Sequence, residues 1–344
     1  MNFGSDTTAP AHPRVLEALA RANTGTQPSY GDDAGMSRVR TVLAQTFETE
    51  DFDFWLVASG TAANAIALAC LCPSTGAILC HREAHIERDE RGAPGFFTGG
   101  AQLRLVPGFG ARIDPAAFAA AVDEHNPGFV HETPVHAVSL TNLTECGTAY
   151  QPAEIAAFVR RASGTGFWFH LDGARLGNAL VSTGASPAEM SWKAGIDVLT
   201  LGLTKTGAMG CEIILLFGKA RDKMQELRIR AKRAGHMPAK MRYLSAQAEA
   251  MLTGGLWLEL AGHANAMAQE LAGAFTEAGV DLAYPPDGNE VFALLGAQDG
   301  EALKAAGARF YAWPGGSSRF VCSWATSPEE IAVLRAVLNR PQRV

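Results

Sequence analysis

Short apolar runs alternate with helical patterns over the first two thirds of the chain. Each run has the length of one buried strand, and the segments between them place apolar residues on one face, as Ile155, Phe158 and Val159 do. This alternation predicts an α/β fold with a mostly parallel sheet that is covered by helices on both sides. The predicted strands are residues 54–58, 77–80, 103–106, 135–140, 167–171, 198–201 and 212–217, and the predicted helices include residues 115–123 and 152–162.

The pattern changes after about residue 241. A long helical stretch rich in Ala and Leu covers residues 244–279 and is broken near Gly254 and Gly255. Two further strands are predicted at residues 291–295 and 320–324, and a last helix at residues 328–338. We therefore expect a large domain over residues 26–243 and a smaller C-terminal α+β domain over residues 244–344.

Composition and charge exclude several classes of protein. Apolar residues make up 47% of the 344 residues and charged residues 19%, so the chain can bury a sizeable core. The net charge of −6 provides no electrostatic footprint for nucleic acid or anionic lipid. No apolar run reaches the roughly 18–20 residues that cross a bilayer, and the N-terminus has no secretory signal pattern. We expect a cytoplasmic protein whose partners include neither nucleic acid nor a membrane.

The cysteines and histidines indicate neither disulfides nor a metal. The six cysteines contain no CxxC pair and are scattered over the chain, which favours buried, reduced thiols. The nine histidines lack metal-ligand spacing. The 36 glycines make up about 10% of the 344 residues, above the roughly 7% that is typical of proteins. This excess indicates many turns or close backbone approaches.

The first candidate site lies where the strand of residues 54–58 leads into a helix. Residues 59–64 (SGTAAN) place free backbone N–H groups at the helix start, with Gly60 allowing close approach and Thr61 adding a hydroxyl. This arrangement can bind a phosphate, although it matches neither nucleotide-binding fingerprint. The alternative is a simple N-cap by Ser59 or Thr61.

Two further candidates follow later strands. Asp172 directly follows the strand of residues 167–171. A carboxylate at the end of an apolar strand needs a cationic or N–H partner, which is either Arg175 or a protonated ring nitrogen of a cofactor. Lys205 follows the strand of residues 198–201 and is either a solvated loop residue or a Schiff-base lysine. A phosphate-type turn, then Asp, then Lys is the order found in a pyridoxal-phosphate site.

These residues, together with several others, resemble the low-specificity L-threonine aldolases, pyridoxal-phosphate enzymes of fold type I with an aminotransferase-like large domain. The resemblance covers nearly the whole chain. It rests on residues 4–7 (GSDT), 30–33 (YGDD), 59–64 (SGTAAN), 83–85 (EAH), 170–175 (HLDGAR), 203–205 (LTK), 240–242 (KMR) and 318–320 (SRF).

The resemblance implies a role for each of these positions, with pyridoxal 5'-phosphate as the cofactor. Lys205 would carry the cofactor, Asp172 would pair with its ring nitrogen, and His85 would stack on the ring near the substrate's β-hydroxyl. Without that family context, His85 reads as a surface histidine in a charged run. The other implied contacts are Gly60 and Thr61 to the phosphate, Arg175, Arg319 and Ser5 to the substrate carboxylate, and Tyr30 and Arg242 to a neighbouring subunit's site.

The resemblance also implies an oligomeric state and a position for the N-terminal segment. Family members form homotetramers as dimers of dimers, so we expect the same here, with active sites at subunit interfaces. Residues 1–25 would form an N-terminal segment that packs near the active site. Arg175 and Arg242 are also expected to contact the cofactor, as Gly60 and Thr61 are.

One departure from the family pattern concerns the catalytic base. Many relatives carry a histidine in the loop where this chain has Thr144, within residues 141–145 (TNLTE). This difference shifts the expected role at the β-hydroxyl to His85, acting directly or through a water.

The predicted activity is a lyase reaction. A retro-aldol cleavage would convert L-threonine, L-allo-threonine and related β-hydroxy-α-amino acids to glycine and an aldehyde. Two alternatives remain on sequence grounds. One is another reaction at Cα on the same cofactor, such as β-elimination or racemisation, and the other is a protein that binds the cofactor without turnover.

Overall fold

Seven strands form the main sheet of the computed structural model, which describes residues 1–339. All seven coincide with the apolar runs of the sequence, with ends that shift by at most two residues. They are β1 (Phe52–Val57), β2 (Ala77–His81), β3 (Gln102–Val106), β4 (Val135–Thr141), β5 (Trp168–Gly173), β6 (Val198–Gly202) and β7 (Glu212–Phe217).

The sheet is mostly parallel, as predicted. Its strand order is β1-β7-β6-β5-β4-β2-β3, and only β7 runs antiparallel to its neighbours β1 and β6. Every residue of β6 and β7 is buried, which explains why these strands read as continuous apolar runs rather than alternating ones. Because six strands share one direction, their carboxyl ends meet at one edge of the sheet, where β7 begins.

Helices cover both faces of this sheet. The predicted helices at residues 115–123 and 152–162 are confirmed, each with Pro at its first position. The helices of this part are α1 (Pro13–Ala22), α2 (Ala34–Phe47), α3 (Gly60–Leu71), α4 (His85–Arg88), α5 (Ala93–Thr98), α6 (Pro115–Asp123), α7 (Pro152–Arg161), α8 (Leu176–Thr183) and α9 (Met224–Arg233).

Helix α3 is buried between the sheet and other helices. All of its residues from Ala62 to Leu71 are buried, and it contacts both strands and the helices α5 and α9. Its many alanines allow this close approach, because small side chains leave room for neighbouring backbone. A helix buried on all sides holds its N-terminus in a fixed position at the edge of the sheet.

A second, smaller sheet lies in the C-terminal part. It contains β8 (Glu290–Ala293), β9 (Tyr311–Ala312) and β10 (Ser318–Val321) in the antiparallel order β8-β10-β9. The strand predicted at residues 320–324 ends earlier because the N–H of Ser323 bonds Thr326 Oγ1 in a turn. The accompanying helices are α10 (Arg242–Leu252), α11 (Leu256–Glu277), α12 (Ala297–Ala305) and α13 (Pro328–Leu338).

Two main apolar cores accompany the two sheets. The first half of α11 packs into the larger core through Trp257 and Leu260, whereas its second half joins the smaller core through Leu271 and Phe275. Phe3, near the N-terminus, is fully buried in the smaller core. The domain boundary at residues 243 and 244 stays a prediction, because α11 serves both cores.

Two observations bear on the chemistry of the chain as a whole. All six cysteines are buried free thiols. None of the helices within residues 1–339 has the length and apolar character that a membrane crossing requires.

Candidate active site

Segments at the ends of five parallel strands of the main sheet, together with the start of the antiparallel strand β7, meet around one cavity. It has a volume of about 270 Å³ and lies at the carboxyl ends of the parallel strands, where ligands of open α/β sheets bind. Its polar lining comes from segments far apart in sequence. The lining residues are Thr7, Ala58, Ser59, Gly60, Thr61, Asn64, His85, Thr141, Leu143, Glu145, Asp172, Ala174, Arg175, Thr204, Lys205 and Glu212.

The N-terminus of α3 opens into this cavity. Ser59 caps the helix, since its Oγ accepts the N–H of Ala62 at 3.2 Å. The N–H groups of Gly60 and Thr61 belong to the first turn, where no partner within the helix exists. A Cβ built on Gly60 would meet no atom within 4 Å, so the space beside it is open. The cap and the anion site are therefore compatible, and the helix start can hold a phosphate.

Asp172 is buried beneath the cavity with 2% of its surface exposed. Its Oδ2 accepts the side-chain N–H of Asn64 at 2.7 Å, and its Oδ1 accepts the backbone N–H of Ala174 at 3.0 Å. Arg175, the structural partner considered from sequence, binds other carboxylates instead. Asp172 is thus held by neutral donors, and its charge is available to a cationic group in the cavity.

His85 lies in the same hydrogen-bonded network. Its Nδ1 is 2.9 Å from Oε1 of the buried Glu90, and Asn64 donates to that same oxygen while also donating to Asp172. Burial lowers the pKa of His85, but the bond to Glu90 and the charge of Asp172 outweigh burial and raise the pKa overall. The structure therefore places His85 in the cavity wall rather than in a solvated charged run.

Lys205 stands in the turn between β6 and β7. Glu212, the first residue of β7, accepts the N–H of Leu203 at 2.8 Å and so holds this turn. Burial raises the pKa of Glu212 to about 7. Gly202 is required at the turn, because a Cβ there would lie 2.4 Å from the backbone oxygen of Ala174. These contacts fix the backbone from which Lys205 enters the cavity.

Two arginines near the cavity contact two buried carboxylates and share one of them, Glu290. Arg175 binds Asp6 through Nε at 2.7 Å and Nη2 at 3.2 Å, and its Nη1 lies 3.5 Å from Glu290. Nη1 of Arg319 lies 3.8 Å from the other oxygen of Glu290. Burial raises the pKa of Glu290, whereas the charges of Arg175 and Lys205 outweigh burial at Asp6 and lower its pKa. The two arginines converge from the main sheet and the second sheet.

The remaining predicted residues lie outside the cavity. Ser5 caps a short 3-10 helix by accepting the N–H of Thr7, and Arg319 donates to the neighbouring Gly4 carbonyl at 3.3 Å. Tyr30 is exposed, with the ammonium of Lys232 4.3 Å from its ring centre. Arg242 donates to the carbonyl of Gly25 at 3.0 Å. One chain therefore does not bring Tyr30 and Arg242 to its own cavity.

Sequence reasoning missed six polar residues at or beside the site. Asn64 lies within the predicted helix start, and Glu145 lies in the loop that follows β4. The sequence pattern could therefore have indicated both residues. Asp6 had a weaker signal within residues 4–7. The missed residues are Asp6, Asn64, Glu90, Glu145, Glu212 and Glu290.

A second cavity, of about 630 Å³, lies behind the segment that follows β4. Its walls are mainly apolar and include Phe109, Tyr150 and Phe158. Its arginines are already engaged, Arg112 with Glu154 and Arg161 with Asp123. It lacks the convergence of lysine, carboxylate and helix N-terminus that the smaller cavity has.

The smaller cavity suits a phosphorylated cofactor with a carbonyl and a basic ring nitrogen. The helix start can hold the phosphate, Lys205 has an amine for the carbonyl, and buried Asp172 can face the ring nitrogen. Within residues 1–339 no group of side chains has the composition of a metal site.

Comparisons with known proteins agree with this geometry. The family model described as beta-eliminating lyase matches residues 2–298. The low specificity L-threonine aldolase of Pseudomonas aeruginosa is 40% identical over 96% of this chain and 95% of its own length. A second enzyme of that name, from a Pseudomonas species, is 38% identical over 98% of both chains.

A solved structure gives the same result for the fold. The threonine aldolase of Leishmania major superposes with a TM-score of 0.91 at 27% identity, covering 98% of both chains. The match extends over both sheets and both cores. This chain therefore belongs to the beta-eliminating lyase family and, within it, to the low specificity L-threonine aldolases.

Proposed function

We propose that this protein is a pyridoxal-phosphate-dependent aldolase that cleaves L-threonine and L-allo-threonine to glycine and acetaldehyde. Related β-hydroxy-α-amino acids are cleaved to glycine and the corresponding aldehyde. The observation that carries the proposal is the single cavity in which Lys205, Asp172, His85 and the N-terminus of α3 converge. Family membership supports the same activity.

Pyridoxal 5'-phosphate draws electrons from Cα of an attached amino acid and so weakens the bonds at that carbon. The chain's residues would hold it in three places. Gly60 and Thr61 would bind the phosphate through the helix start, Asp172 would pair with the ring nitrogen, and Lys205 would provide the attachment point. The amides of Asn64 and Ala174 keep the Asp172 carboxylate oriented.

The substrate carboxylate is the next group to be fixed. Arg175 and Arg319, which also contact Glu290, are the cations beside the cavity that would bind it, and Ser5 lies in the segment that Arg319 contacts. Holding the carboxylate sets the rotation about Cα, and this rotation decides which bond stands perpendicular to the ring plane. Alignment of the Cα–Cβ bond selects retro-aldol cleavage over loss of the α-proton.

His85 is placed to form a hydrogen bond with the β-hydroxyl. Its Nδ1 is held by Glu90, which fixes the ring orientation and leaves Nε2 as the free nitrogen. The raised pKa of His85 means that the ring is protonated over a wider pH range than a free histidine. The protein thus provides a polar group on the side of the substrate where the bond breaks.

Incubation of the purified holoenzyme with L-threonine tests the activity. We expect glycine and acetaldehyde in equal amounts. Ammonia and an oxo acid in their place would indicate β-elimination, and D-allo-threonine alone would indicate racemisation at Cα. Either of these outcomes would contradict the proposed function.

We propose in addition a homotetramer, a dimer of dimers, in the cytoplasm. Tyr30 is exposed, and Arg242 lies away from the chain's own cavity. Both observations support an assembly in which these two residues contribute to the active site of a neighbouring subunit. The six reduced, buried thiols support a reducing compartment. Light scattering after size exclusion tests the assembly, and a monomer mass would contradict it.

A further inference from the structure

The segment after β4 carries a carboxyl group to which the mechanism above gives no role. Glu145 lines the active-site cavity and is 8% exposed. Its Oε1 accepts the backbone N–H of His85 at 2.6 Å and the hydroxyl of Thr141 at 3.1 Å. Its Oε2 is buried and has no hydrogen-bond partner within residues 1–339. A buried, unpartnered oxygen is costly, so a partner from outside the polypeptide is indicated.

We propose that Glu145 takes the proton from the β-hydroxyl of the substrate through its free oxygen Oε2. This proposal rests on the proposed function and names the base for it. In this assignment His85 orients the hydroxyl and Glu145 accepts the proton. Thr144, the residue before Glu145, is fully buried and does not line the cavity, so Glu145 is the ionisable group that this loop presents to it.

The division of labour between His85 and Glu145 follows from their charges. The bond to Glu90 and the charge of Asp172 raise the pKa of His85, which favours the protonated ring and its role as a hydrogen-bond donor. Burial and the charge of Asp172 raise the pKa of Glu145 to about 7. A base with a pKa near the working pH is both ionised in part and strong enough to accept a proton.

The charged groups around Glu145 come from several elements. Asp172 on β5 raises its pKa, whereas the ring of His85 on α4 lowers it. The guanidinium of Arg175, at the start of α8, also faces this carboxylate. The other titratable groups that face it are Cys80, Cys146 and Tyr150, whose pKa values are raised by burial, so they are neutral near pH 7.

The proton balance of the step is closed. The O–H bond of the β-hydroxyl breaks, and its proton joins Oε2 of Glu145 as the aldehyde C=O forms. The Cα–Cβ bond breaks, and its electron pair stays with the glycine fragment. Cα then takes one proton that comes from solvent, and Glu145 releases the hydroxyl proton to solvent and returns to its ionised form, so no proton is gained or lost overall.

Replacement of Glu145 by Gln separates this role from a structural one. A Gln side chain keeps an oxygen that accepts the N–H of His85 and the hydroxyl of Thr141, but it cannot take up a proton. We expect kcat for L-threonine to fall about 100-fold, as for loss of a general base, with KM little changed. Glu145→Asp should restore part of the activity. Glu87→Gln, an exposed change on α4, is the matched control and should keep wild-type activity.

A second readout avoids catalysis altogether. Infrared titration of the cofactor-free protein should show a protonated carboxyl band that disappears with a midpoint near pH 7. Glu145→Gln should lose the part of the band that Glu145 contributes and keep the part from Glu212, whose pKa is also raised to about 7, whereas Glu87→Gln should keep both. If the infrared titrations of wild type and Glu145→Gln were identical, the proposal would be overturned.

Exchange of the α-proton of glycine in heavy water distinguishes a role at the β-oxygen from a general defect. Glycine lacks a β-hydroxyl, so Glu145→Gln should exchange it at a rate close to wild type. Equal losses of exchange and of threonine cleavage would overturn the assignment. Full threonine cleavage by Glu145→Gln would overturn it while leaving the proposed function intact, whereas a wild type that forms no glycine and acetaldehyde would overturn the proposed function itself.

Discussion

At the scale of single residues, the site is organised by buried carboxylates that each have a defined partner. Asp172 is held by amides, Glu90 by His85 and Asn64, and Asp6 by Arg175. The sequence motif predicted Asp172 because it ends an apolar strand. It did not predict Asp6 as the partner of Arg175, because the two lie 169 positions apart and only the tertiary fold brings them together.

The Asp6–Arg175 pair gives a stability prediction. Asp6→Asn leaves a buried guanidinium with less compensation, so the free energy of unfolding should fall by about 3 kcal/mol. The pKa of Asp6 is lowered in the fold, so the pair's contribution is present above its ordinary value of 3.8 and is lost as pH falls below it.

Urea denaturation of both proteins at several pH values measures this difference. The gap between wild type and Asp6→Asn should be constant near neutral pH and should shrink in acid. A gap that stays constant down to the acid limit would contradict the assignment of the ionised pair. Glu17→Gln on the exposed surface of α1, whose ion pair with Arg21 is solvated, is the matched control with little expected change.

At the scale of elements, the sequence predicted the strands of the main sheet well and the small sheet less well. Strands β6 and β7 are buried on both faces, so each appears as an uninterrupted apolar run. Strand β9 has two exposed residues, Tyr311 and Ala312, and carries no such signal. Its formation depends on pairing with β10, which periodicity cannot reveal.

Glycine positions provide a test at the same scale. Gly202→Ala should destabilise the protein, because the new Cβ would lie 2.4 Å from a backbone oxygen that cannot move without separating β5 from β6. Gly273→Ala on α11 has open space around the new Cβ and should stabilise the protein by about 0.5–1 kcal/mol.

Thermal unfolding of the two variants decides between these expectations. A lower melting temperature for Gly202→Ala and a higher one for Gly273→Ala are expected. An unchanged or higher melting temperature for Gly202→Ala would show that the close approach at Ala174 does not govern stability.

At the scale of the whole molecule, the active site joins parts that are distant along the chain. The N-terminal segment provides Asp6, the main sheet provides Asp172 and Lys205, and the second sheet provides Glu290 and Arg319. Phe3 anchors the N-terminal segment in the smaller core, three positions before Asp6. Motif order predicted that the helix start, Asp172 and Lys205 would lie together, as they do in the cavity, whereas the contacts between the two sheets required the three-dimensional structure.

The attachment of the cofactor to Lys205 is the central claim at this scale. The chain contains several other lysines, and Lys193, Lys219 and Lys304 are engaged in ion pairs far from the cavity. Lys205→Ala should retain the fold, because the residue stands in a turn held by Glu212, but should lose multiple turnover with L-threonine.

The most direct test is borohydride reduction of the holoenzyme followed by peptide mass mapping. Reduction fixes pyridoxal phosphate covalently to the lysine that bears it. We expect loss of the yellow colour and the added mass on the peptide that contains Lys205 and on no other. A colourless protein without label, or the label on a different lysine, would contradict the account.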